Sequence, residues 1–141
     1  MRAFIFPGQG SQSVGMGKAL AESSAAARAV FQEVDEALGQ NLFKLMTEGP
    51  EDALTLTENA QPAIMANAIA TLRVVEQEGG IRLADKADFV AGHSLGEYTA
   101  LCAAGALDLA TTAKLLKLRG QAMQAATPVG TGAMAALLGA D

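Results

Sequence analysis

The chain is poor in the residues that usually make a site obvious. Among its 141 residues there is one cysteine, Cys102, one histidine, His93, one tyrosine and no tryptophan. A lone cysteine excludes an internal disulfide and a cysteine-rich metal centre, and it fits a reducing compartment. A lone histidine excludes a histidine-based metal cluster. Basic residues number 10 against 15 acidic ones, giving a net charge of −5 and a pI near 4.8. With no lysine or arginine run and few aromatic platforms, nucleic acid is excluded as the main partner. No apolar run approaches the roughly 20 residues of a membrane span, and "MRAFIFPGQGSQ" carries too short an apolar stretch for a signal peptide. These absences lead to the expectation of a cytoplasmic protein. Hydrophobic residues, by contrast, make up 50% of the chain, enough for the core of one domain.

The order of patterns implies an α/β fold with a parallel-sheet core and flanking helices. Arg2 to Phe6 reads as a buried strand that Pro7 and Gly8 end, feeding the glycine-rich loop "PGQGSQSVGMG". A helix follows from Ala25, with Val30, Val34 and Leu38 at helical spacing and Gly39 as its stop. "NLFKLMTEGPED" reads as a short helix and a turn, and a long helix is expected from Gln61, with Pro62 in its first turn and Gly79-Gly80 at its end. "ADFVAG" is a second buried strand, running directly into a serine. After it come a helix, "LGEYTALCAAGA", and a last one from Asp108, a suitable N-cap, with Pro128 beyond its end. "GTGAMAALLGAD" reads as the beginning of another strand. So few strands fall short of a usual sheet of about five or six, an expectation that the chain is the front part of something larger.

Gly92-His93-Ser94-Leu95-Gly96 matches G-x-S-x-G between an expected strand and an expected helix. Such a corner presents a nucleophile, because glycines two before and two after remove the Cβ atoms that would collide with it. The amide of Leu95, in the first helical turn, points to where charge would collect on an attacked carbonyl. His93 is not the expected base: neighbouring residues on so tight a turn diverge, and its ring reads as packed beneath the turn. Glu97 suits the positive end of the same helix whether or not it has a role, and Cys102 reads as a small core residue.

On the last helix, at about 100° per residue, Lys114, Lys117, Gln121 and Gln124 share a solvated side. Arg119 lies opposite, among Leu115, Leu116, Ala122 and Met123. A guanidinium there requires an anion. Periodicity leaves three readings open: a structural ion pair, a side chain that snorkels to water, or a grip on a substrate carboxylate. The last, joined to a serine nucleophile, would define a diacid acyl group.

"FPGQGSQSVGMG" at 6–17, "ENAQPAIMA" at 58–66, "GHSLGEYTAL" at 92–101, "KLRGQAMQ" at 117–124 and "GTGAMAALLG" at 130–139 together resemble the malonyl-CoA:acyl carrier protein transacylase family, along essentially the whole chain. The resemblance implies an α/β-hydrolase-like fold with a nucleophile elbow, residues 1–128 being the front of its large subdomain and 129–141 the start of a small ferredoxin-like one. It implies Ser94 as the residue that becomes malonylated, the amides of Gln9 and Leu95 as the oxyanion hole, and Arg119 and Gln61 as the malonyl pocket. It further implies malonyl-CoA and acyl carrier protein as partners in fatty acid synthesis, no metal or other cofactor, and a monomer at full length. The family's catalytic histidine lies downstream and has no counterpart here, so the expectation is a chain truncated at the small subdomain and inactive alone. Lys114 and Lys117 are candidates for contacting the carrier protein. A serine hydrolase or a non-catalytic interaction fragment are the competing readings.

Overall fold

Residues 1–128, 130–132, 137 and 139 are described by the computed structural model. In chain order they form β1 (Ala3–Phe6), α1 (Lys18–Ser23), α2 (Ala25–Leu38), α3 (Leu42–Glu48), α4 (Glu51–Thr55), α5 (Thr57–Gln77), α6 (Leu83–Lys86), β2 (Phe89–Gly92), α7 (Leu95–Ala103) and α8 (Leu109–Ala126). This is an α/β arrangement, with many helices around a small parallel sheet.

The core gathers around α5, which is buried without a break from Asn59 to Ala66 and again at Ile69, Ala70 and Leu72. Small residues alternate there with Ile64 and Met65, so both α2 and α8 pack against it, and α2 also touches α8. From α2 come Val30, Phe31 and Val34, one apolar stripe at helical spacing. Ser24 starts that helix by accepting the Ala27 N–H at 3.3 Å, and Gly39 ends it in the left-handed conformation. From α8 come Ala113, Leu116 and Gly120. A Cβ on Gly120 would stand 2.5 Å from the Glu58 Cα, so this glycine sets how closely α8 crosses the start of α5.

Several expectations are corrected. The long helix begins at Thr57 rather than Gln61, which puts Pro62 in its second turn, where the missing N–H forgoes a bond to the Glu58 carbonyl. Three short helices, α1, α4 and α6, were not foreseen, since none is long enough to carry a periodic apolar face. The strands were expected buried and are not. β1 and β2 pair in parallel from Ala3↔Phe89 to Phe6↔Gly92, and only Phe6 of the eight residues is buried. Side chains alternate faces along a strand, and here α7 packs against the sheet while Ile5 and Phe89, pointing the other way, are 68% and 56% exposed. The strand expected within 130–141, and the subdomain boundary at 129, lie largely outside the described residues. No helix among the described residues is long and apolar enough to cross a membrane.

Candidate active site

Parallel pairing brings the ends of both strands to one place. β1 runs into the loop that holds Gly8 and Gln9, and β2 runs into the Ser94 turn beside it. The turn is held by exclusion. A Cβ on Gly92 would lie 1.9 Å from the backbone carbon and oxygen of Gly96, and one on Gly96 would lie 2.4 Å from the Phe6 carbonyl oxygen. Both approaches are backbone against backbone, so neither can yield. Between these glycines Ser94 takes φ 56° and ψ −111°, the one non-glycine residue with positive φ among those described. Its side chain is thereby turned to the exposed side while Leu95, next in the chain, is fully buried. The Gly96 N–H donates to the His93 carbonyl at 2.9 Å and the Glu97 N–H to the Ser94 carbonyl at 3.1 Å. Leu95 opens α7, a position from which an N–H has no acceptor within the helix.

His93 is not beneath the turn, as its spacing suggested, but exposed. Its ring lies across Gly8, so close that a Cβ there would come within 2.7 Å of Nδ1. Only a glycine leaves room for the imidazole on that side. Gln9, next to Gly8, is exposed and its side-chain amide donates to Thr57 Oγ1 at 3.4 Å.

Arg119 reaches this turn from α8. Its Nη2 donates to Ser94 Oγ at 3.0 Å and its Nη1 to Gln61 Oε1 at 2.7 Å, while Cζ stands 5.7 Å from the centre of the Tyr98 ring. Gln61 is fully buried, and its Nε2 donates to Met123 Sδ at 3.2 Å. No carboxylate comes within ion-pairing distance of Arg119 among the described residues, so the structural ion pair left open by periodicity is not what holds it there. The cation rests on two neutral oxygens and an aromatic face. Ser94, Gln61 and Arg119 thus meet, each from a different helix or turn; Leu95 follows Ser94 at the start of α7, and Gln9 lies in the loop after β1.

The other face of α8 needs correction. Lys117 is not a free surface lysine: it donates to Glu58 at 3.0 Å and to Asn59 Oδ1 at 3.0 Å, and its side chain is only 21% exposed. That hydrogen bond and charge hold the Glu58 carboxyl below its ordinary range. Leu115 and Ala122 are exposed rather than part of the apolar stripe, because Gly120 and Leu116, not they, face α5. Lys114 is exposed as expected. Cys102 is buried, which pushes its thiol up from the ordinary value, and it stands outside the Ser94 cluster.

Residues 3–140 match the acyl transferase domain family. The chain belongs to that family. It is 50% identical over 139 residues to the malonyl CoA-acyl carrier protein transacylase of Bacillus subtilis, covering 99% of this chain and 42% of that relative. Among solved acyl transferase structures, an acyl-carrier-protein S-malonyltransferase from Bartonella henselae superposes with a TM-score of 0.88 at 60% identity, over 92% of this chain and 41% of the other. A malonyl-transacylase in complex with a type II polyketide acyl-carrier protein superposes with a TM-score of 0.82 at 42% identity, over 89% of this chain and 40% of the other. The chain therefore spans about two fifths of the length of the acyl transferases it matches.

Two participants were missed by sequence reasoning. Tyr98 lies one helical turn beyond Ser94, a spacing that returns it to the same side of α7 and could have marked it. Met123 lies one turn beyond Arg119, where periodicity marks it only as an apolar neighbour.

Proposed function

We propose that this chain supplies the nucleophile and the carboxylate-binding half of a malonyl-CoA:acyl carrier protein S-malonyltransferase. Ser94 Oγ attacks the thioester carbonyl carbon, the thiol of coenzyme A leaves, and a malonyl-serine ester remains. The phosphopantetheine thiol of acyl carrier protein then attacks that ester and releases the serine, a two-step exchange. The amides of Leu95 and Gln9 stabilise the oxyanion in both steps.

One observation carries the reading: a guanidinium with no carboxylate partner among the described residues, 3.0 Å from the serine oxygen. Such closeness suits an acyl group whose own carboxylate is a single methylene from the reacting carbonyl. Arg119 can exchange its bond to Ser94 for that carboxylate while Gln61 keeps hold of the other nitrogen. A hydrolase of neutral esters has no use for this cation. The malonyl tail, once gripped, aims the ester at the incoming thiol rather than at water.

The hydroxyl proton needs an acceptor, and the hydrogen-bond partner of Ser94 Oγ among the described residues is the Arg119 guanidinium, which only donates. The base therefore comes from outside these 141 residues, and the chain alone turns over little. The same reading places the protein in the cytoplasm, with acyl carrier protein as its second partner.

Intact-protein mass after incubation with malonyl-CoA tests this, on the chain itself and on a chimera joining it to the remaining part of the Bartonella relative. The chimera should acquire one malonyl group and the chain alone hardly any. Ser94→Ala should abolish the adduct, and Arg119→Ala should slow its formation about a hundredfold, the usual cost of truncating one partner of a desolvated charge contact. An adduct on the Ser94→Ala protein, or equal labelling of wild type and Arg119→Ala, would overturn the assignment.

A further inference from the structure

We propose that Met123 is a positioning residue whose thioether sulfur, together with Arg119, locks the Gln61 side chain with its oxygen facing the guanidinium. A primary amide has nearly the same shape in its two orientations but opposite polarity. Gln61 is fully buried, so water cannot choose between them. With Oε1 toward Arg119 the guanidinium gains an acceptor at 2.7 Å. Turned over, the amide would set its own N–H groups against those of a cation, donor against donor. The far side of the amide adds a second constraint, where Nε2 meets Met123 Sδ at 3.2 Å. A thioether accepts and never donates. It therefore rewards the nitrogen and repels the oxygen, and both faces of Gln61 demand the same orientation.

The placement makes this possible. Met123 and Arg119 are one turn apart on α8, and Gln61 reaches between them from α5. Met123 so acts on the serine at one remove: sulfur orients amide, amide holds Nη1, and Nη2 is left aimed at Ser94 Oγ. A leucine would fill similar space but accept nothing. A buried donor left unmatched is costly, and the amide would lose its fixed orientation.

The proposal deepens the reading of Arg119 as the carboxylate site and rests on it only for its effect on binding. The test uses the 15N-labelled chain by NMR, with Met123→Leu, which removes the acceptor, and Met123→Gln, whose side-chain oxygen can restore it. In wild type and Met123→Gln the Gln61 side-chain N–H groups should be protected from exchange; in Met123→Leu that protection should be lost. Titration with malonate, followed at the Arg119 side-chain nitrogens, should weaken about five- to tenfold in Met123→Leu alone. A Met123→Leu protein that does not fold beside a Met123→Gln protein that folds with the amide protected also supports the acceptor role. Unchanged Gln61 protection in Met123→Leu, or failure of both variants to fold, overturns it. Should malonate not bind wild type at all, the carboxylate assignment of Arg119 falls, while the exchange of the Gln61 amide still decides the role of Met123.

Discussion

The two sides of the candidate site are built on opposite supports. Arg119 and Gln61 hang from α8 and α5, and α5 has 11 of its 21 residues buried. Ser94 stands at the end of β2, a four-residue strand with no buried residue. Side chains on the helical layer are located by close packing, since a filled interior leaves few alternative rotamers. The serine is located differently: backbone approaches backbone so closely at Gly92 and Gly96 that neither position has room for a Cβ. A precise side chain therefore does not require a buried element beneath it. The hydrogen bond from Arg119 to Ser94 joins the two kinds of support, and the site is only as well formed as both.

Replacing the smallest residue in the turn should break that contrast most severely. Gly92→Ala places a Cβ 1.9 Å from the Gly96 backbone, with no flexible side chain to give way, and should destabilise the fold by about 4 kcal/mol or more in urea titrations. Gly10→Ala is the control from the neighbouring loop. Its φ of +104° strains an alanine, but nothing lies within 4 Å of the new Cβ, so it should cost about 1 kcal/mol. Equal costs would mean that the turn is not held by exclusion.

Next in size comes the helical layer. Gly120→Ala would press a Cβ to 2.5 Å from the Glu58 Cα and 2.7 Å from the Thr57 carbonyl oxygen, forcing α5 and α8 apart at their crossing. A loss of about 2 kcal/mol is expected, less than at Gly92 because whole helices can shift by a few tenths of an ångström. The shift should also loosen Gln61 from Arg119, so the Gln61 side-chain amide should exchange faster while the Ser94 turn keeps its backbone shifts. Changes confined to the turn would show that the two supports are not separable.

How much of this was legible in the sequence follows from what each feature depends on. Gly39 and Asp108 act through their own backbone neighbours, and the end of α2 and the start of α8 lie where those residues promised. The Ser94 corner was legible too, because two glycines at fixed offsets have a steric meaning wherever they occur. Strand burial was not: an apolar strand such as "AFIF" carries no record of which of its faces another element will cover. Nor was the start of α5, where Pro62 suggested a first turn and the packing of Asn59 and Ala60 extended the helix past it. Arg119 was legible as an anomaly, a cation on an apolar face, but its partners come from residues about 25 and 58 positions away, and no periodicity links them. Lys117 was misread for the same reason, its partners being equally distant in the chain.

The smallest expected effect separates Lys117 from the solvated lysine that helical spacing made it. Lys117 donates to Glu58 and to Asn59, and Gln121 also donates to Glu58 at 3.4 Å. The lysine hydrogen bond is the main reason that the Glu58 carboxyl lies below its ordinary 4.5 in the folded protein. The unfolded chain then takes up a proton at higher pH than the folded one. Stability from this pair is fully present above about pH 4.5 and disappears as the pH falls through the lower, folded value. Because the Glu58 side chain is 31% exposed, water screens the pair, and it should be worth only about 0.5 kcal/mol. Glu58→Gln keeps an acceptor for Lys117 but does not titrate. Urea midpoints of the two proteins should therefore differ slightly at pH 7 and converge toward pH 3. A constant difference at every pH would return Lys117 to the solvated face.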